Sequence, residues 1–109
     1  MNDMSNYKGA EALGKPSTNA VAAPVVTSPS PGSNVENPVQ FSGVGEEGWV
    51  VYVYAVPTDG DPIASALVKD GKWSVSASLE VRAYSAFALQ RHDRETSDWG
   101  DIFDFTVSK

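Results

Sequence analysis

The sequence predicts an all-β sandwich. Three observations carry this: turn residues recur at the roughly 8 to 12 residue spacing of short-strand folds, the segments between them are rich in β-branched and aromatic residues, and no segment carries a sustained helical period. The chain has 109 residues and a 41% apolar composition, enough for one modest domain. It contains no cysteine and a single histidine, His92, which excludes disulfides and thiolate metal sites. Fourteen acidic against eight basic side chains leave a net charge of -6. That balance disfavours attraction to nucleic acid phosphates or anionic lipid. No apolar run approaches the roughly 20 residues that a helix needs to span a bilayer, so neither nucleic acid nor membrane insertion is expected.

The composition changes near Pro24. Residues 1–24 are rich in Asn, Ser, Ala and Gly, and their polar, Gly- and Pro-interrupted pattern has neither a secretory leader nor an apolar period. They read as an extended arm and docking segment, with Tyr7 and Leu13 as its candidate contacts. Fully extended, such an arm reaches roughly 80 Å at about 3.3 Å per residue. Residues 25–109 form the expected sandwich and carry all of the net charge.

Seven strands are expected in that remainder: Val25 to Ser28, Val39 to Gly43, Trp49 to Val56, Ile63 to Val68, Trp73 to Ala77, Tyr84 to Gln90 and Phe103 to Val107. The turns between them read Pro29-Ser30-Pro31-Gly32, Glu36-Asn37-Pro38, Gly43 to Gly48, Thr58 to Pro62, Lys69-Asp70-Gly71 and the polar stretch Arg91 to Gly100. Strict alternation gives three strands an inward face: Val39 and Phe41, Trp73 and Val75, and Phe103, Phe105 and Val107. Such half-buried strands imply antiparallel sheets with one face in water.

Two strands are apolar on both parities. Trp49, Val51, Val53 and Ala55 alternate with Val50, Tyr52, Tyr54 and Val56, and Tyr84, Ala86 and Ala88 alternate with Phe87 and Leu89. In an immunoglobulin-like topology these two strands are neighbours. With Val51, Val53 and the alanines inward, Tyr52, Tyr54, Phe87 and Leu89 gather on an outer face, and contiguous exposed apolar surface marks an interface. Trp49 and Trp99 join them as candidates, since exposed aromatic rings also stack on sugars. Trp73, after the Asp-Gly turn, reads as core.

The ordered set Pro24 to Gly32, Asn37 to Gly43, Gly48 to Tyr54, Asp70 to Val75, Tyr84 to Gln90, Thr96 to Trp99 and Phe103 to Val107 resembles the bacterial Ig-like repeat. That family pairs an N-terminal proline with a "pvtfsGtg" strand, a "pGatVtVy" strand, a "dGtWsv" hairpin and a terminal "Ftv" strand. Trp49 departs from it by replacing a usually small residue, and Glu46-Glu47 stands where a proline is common. The resemblance implies an immunoglobulin-like, non-enzymatic module of the kind used as spacer, adhesive or accessory units on bacterial surfaces and phage particles.

No nucleophile motif, phosphate-binding glycine loop or histidine pair is present, and His92, within Arg91 to Glu95, reads as a solvated loop histidine lacking an orienting partner and pocket. Asp59 with Asp61, and Asp93, Glu95, Asp98 and Asp101, lack the spacing of a calcium loop and read as turns or solvated faces. The expectation is therefore no catalytic, cofactor or metal residues. The principal functional expectation is an accessory protein of a phage virion, such as a capsid decoration or a head or tail fitting, with capsid or tail proteins or further copies of the chain as partners. The alternative is a spacer or adhesion module of a bacterial surface or secreted protein that binds a surface glycan.

Overall fold

A computed structural model describes residues 21–109; the arm reading of residues 1–20, with Tyr7 and Leu13, lies outside the described residues. Among the described residues nine strands follow in chain order: β1 (Val25–Ser28), β2 (Ser33–Val35), β3 (Val39–Val44), β4 (Val50–Ala55), β5 (Ala64–Leu67), β6 (Lys72–Ala77), β7 (Ala83–His92), β8 (Glu95–Thr96) and β9 (Phe103–Val107). One sheet has the order β1-β3-β6, and the other runs β2-β9-β7-β4-β5 with β8 paired to β7. No helix occurs among the described residues. Together these sheets form an immunoglobulin-like β-sandwich.

All seven expected strands are present, two with the expected bounds and five with ends that differ by one or two residues, and two more are added. The strand β2, Ser-Asn-Val, pairs parallel to β9 in the register Ser33↔Phe105 to Val35↔Val107. Three residues are too few to show alternation, and their partner lies at the far end of the sequence, so nothing local marks them as a strand. The strand β8 turns part of the polar Arg91 to Gly100 stretch into a hairpin, pairing Thr96 with Arg91 and Glu95 with His92. The pairing of β2 with β9 also qualifies the antiparallel expectation: it is the one parallel ladder among the described strands.

The alternating residues meet between the sheets. Val39, Phe41, Trp73, Phe103, Phe105 and Val107 are buried with Val51, Val53, Ala86 and Ala88. Phe105 is the centre of an aromatic group, stacked on Tyr84 at 5.3 Å between ring centroids and edge-on to Phe41 at 5.8 Å. Two polar tips reach partners, as burial of a hydroxyl or indole N–H requires. The Trp73 Nε1–H donates to the Val44 carbonyl at 3.0 Å, and the Tyr84 hydroxyl donates to the Glu80 carbonyl at 3.1 Å. The latter is the tyrosine corner of immunoglobulin-like sandwiches.

Local chemistry sets the crossovers. Asp70 and Gly71 have φ of 58° and 75°, and the Lys69 and Lys72 N–H groups donate to each other's carbonyls at 2.8 and 3.1 Å. This two-residue Asp-Gly connection, with positive φ at both positions, turns the chain from β5 in one sheet to β6 in the other. Gly43, in β3, faces β1 so closely that an added Cβ would lie 1.8 Å from the Val25 carbonyl oxygen. Only a residue without a side chain lets β1 pair there.

Candidate functional site

The pairing of β4 with β7 opposes Tyr52 to Leu89 and Tyr54 to Phe87. Because Val51, Val53, Ala86 and Ala88 point inward, these four residues share the outer face, as their parity implies. Their exposure differs from the expectation: Tyr52 and Tyr54 are half-buried, while Phe87 and Leu89 are buried. The cause for Phe87 is a lid from outside the two strands. The Trp99 ring lies on it with centroids 4.4 Å apart and planes 14° apart, and Tyr54 stacks beside it at 5.6 Å. Tyr52 continues the row at 6.5 Å from Tyr54, with the Arg91 guanidinium 5.7 Å from its ring centroid.

The two tryptophans proposed as contacts part ways. Trp49 is 8% exposed and stacks on His92 at 5.7 Å, so the reading of Trp49 as a presented ring is corrected. It sits immediately before β4 on the inward parity of Val51 and Val53, and His92, at the end of the neighbouring strand, is positioned to cover it. Trp99 is 61% exposed although one of its faces is covered by Phe87.

Backbone bonds on either side hold Trp99 in place. The Ser97 N–H donates to the Gln90 carbonyl at 2.8 Å, and the Gly100 N–H donates to the Ala88 carbonyl at 2.8 Å. Gln90, 2% exposed, is the polar hub of this end of the molecule. Its backbone N–H donates to Ser97 Oγ at 2.9 Å, its side-chain oxygen accepts from the Glu46 N–H at 2.9 Å, and its Nε2 donates to the Ala22 carbonyl at 3.0 Å. The Asp98 N–H donates to the Val21 carbonyl at 3.3 Å. The last four residues assigned to the arm, Val21 to Pro24, are thus tied to the sandwich, and Pro24 is buried. The sequence signal for this hub is a glutamine on the inward parity of an otherwise apolar strand, where burial demands partners.

A groove of about 590 Å³ opens beside Trp99, between β1 and the segment leading into β9. Pro24, Pro29, Pro31, Asp101 and Ile102 line it with Trp99. A shallower one of about 430 Å³ lies at the end of β3 and β6, lined by Thr27, Val44, Leu67 and Lys72. The acidic pair Asp59 and Asp61 closes a turn. Asp59 Oδ1 accepts the Asp61 N–H at 3.0 Å, an Asx turn. Among the described residues, no three His, Asp or Glu side chains are grouped to hold a metal ion.

No family model matches the sequence, and no curated protein matches it. A solved structure described as "Biofilm associated protein - BSP domain" is similar in fold, with a TM-score of 0.55 and 21% identity over 82% of this chain. The match spans 14% of that longer chain. At this identity the likeness shows a shared β-sandwich fold.

Proposed function

We propose that this chain is a non-enzymatic spacer and adhesion module of a bacterial surface protein. The observation that carries this is where the chain meets the sandwich. It enters at Val21 and Ala22, bonded to Asp98 and Gln90. At the other end the Lys109 carbonyl accepts the Asn37 N–H at 2.9 Å, beside Val107, whose N–H donates to the Arg82 carbonyl. Arg82 immediately precedes β7 and Gln90 lies near its far end, roughly 25 Å away at about 3.3 Å per residue. Val21 and Lys109 are thus held at opposite ends of the sandwich, a placement that suits a spacer. The exposed Trp99 and its groove supply a contact surface, and the fold neighbour described as biofilm-associated supports a surface setting.

The fold neighbour described as biofilm-associated favours this reading over that of a virion component. Antibodies raised against residues 21–109 test it. Labelling of intact cells of the organism that encodes the chain, lost after surface proteolysis, is the expected result. Recovery of the chain only in sedimented phage particles would overturn the surface reading in favour of a virion component.

A further inference from the structure

We propose that Trp99 and the groove beside it form a saccharide-binding site, taking a pyranose whose substituents are hydrogen-bond donors and not acids. This deepens the adhesion reading by naming its ligand class.

Trp99 is a supported platform. One face of its ring is taken by Phe87, which is buried and flanked by Tyr54, and the bonds of Ser97 and Gly100 to β7 fix the backbone on both sides. With 61% of the residue exposed, its other face is available at no cost in unpacking. The apolar C–H face of a pyranose covers an indole in the same way that another flat apolar group would, and a ring already held in position loses little entropy on binding.

The groove's chemistry selects among sugars. Its volume of about 590 Å³ falls within the range of small-molecule sites. Prolines 24, 29 and 31 and Ile102 give it apolar walls, and Asp101, two residues after Trp99, lines it as an acidic residue. A carboxylate accepts bonds from hydroxyl or ammonium donors, and an ammonium also gains from the indole face. None of the described residues lining the groove is Lys, Arg or His, and the chain's net charge is -6. A uronic acid would be repelled.

Titration of the purified full chain tests this, with tryptophan fluorescence as the readout. Trp49 and Trp73 are buried, so a ligand-dependent change reports Trp99. The probes are an N-acetylglucosamine oligomer, a glucosamine oligomer and a uronate oligomer of equal length. Saturable binding of at least one of the first two is expected, with none for the uronate. Calorimetric titration, which does not depend on the indole signal, should show Trp99→Ala lowering affinity at least tenfold and Trp99→Tyr retaining most of it. Asp101→Asn should weaken the glucosamine oligomer most. Thermal melting confirms that each variant is folded. No saturable binding by either amino-sugar oligomer, equal binding of the uronate, or undiminished affinity in Trp99→Ala would overturn the site. Such a failure leaves the cell-surface labelling result untouched, so the two proposals fail separately.

Discussion

Phe87 and Trp99 lie face to face, 4.4 Å between centroids, yet Phe87 is 4% exposed and Trp99 61%. The same contact that hides one ring presents the other. A single strand pair without the loop after β8 would leave Phe87 open to water, which is what the alternation of β7 alone implies.

The two rings should therefore differ sharply when truncated. Phe87→Ala removes a buried ring and is expected to cost about 3–5 kcal/mol in urea unfolding. Trp99→Ala should cost less, about 1–3 kcal/mol, from the lost ring pairing and from the Phe87 face it uncovers. A double-mutant cycle should return a coupling of about 0.5–1.5 kcal/mol; additivity would show that the stacking contributes nothing.

Gln90→Ala should destabilise by about 2–3 kcal/mol, because it leaves a cavity and strips the part-buried Glu46 N–H of its acceptor. Hydrogen exchange gives the local check. The Glu46 amide should exchange faster, while Phe105 and Val107, in the core strand β9, change only as far as global stability falls.

Gly43→Ala is expected to cost about 2–3 kcal/mol, since the new methyl group collides with the Val25 carbonyl and β1 must move away from β3. Loss of amide protection confined to residues 25–28 would show that β1 detaches while the other strands remain.

Gly71→Val, which places a β-branched residue at φ of 75°, should lower stability by about 1–2 kcal/mol. Asp70→Asn should be nearly neutral, because asparagine accepts the same left-handed conformation and suits this turn. Equal losses in the two variants would show that the turn's backbone conformation is not what matters.

What the sequence determined by itself was the set of main strands and their inward faces. Alternation in Val39 to Gly43, Trp73 to Ala77 and Phe103 to Val107 is local, and burial of one face follows from it directly. The Asp-Gly turn is equally local. Tyr52, Tyr54, Phe87 and Leu89 could also be assigned to one face, because parity and the adjacency of β4 and β7 suffice.

Only the tertiary structure decided what covers that face. Trp99 reaches Phe87 because Ser97 and Gly100 bond to β7, and those bonds join residues whose pairing no local pattern encodes. The same holds for β2, whose parallel partner β9 is remote in sequence, and for Trp49, whose burial depends on His92 from a neighbouring strand. Alternation states which way a side chain points. Whether it meets water depends on what the rest of the chain brings to that place.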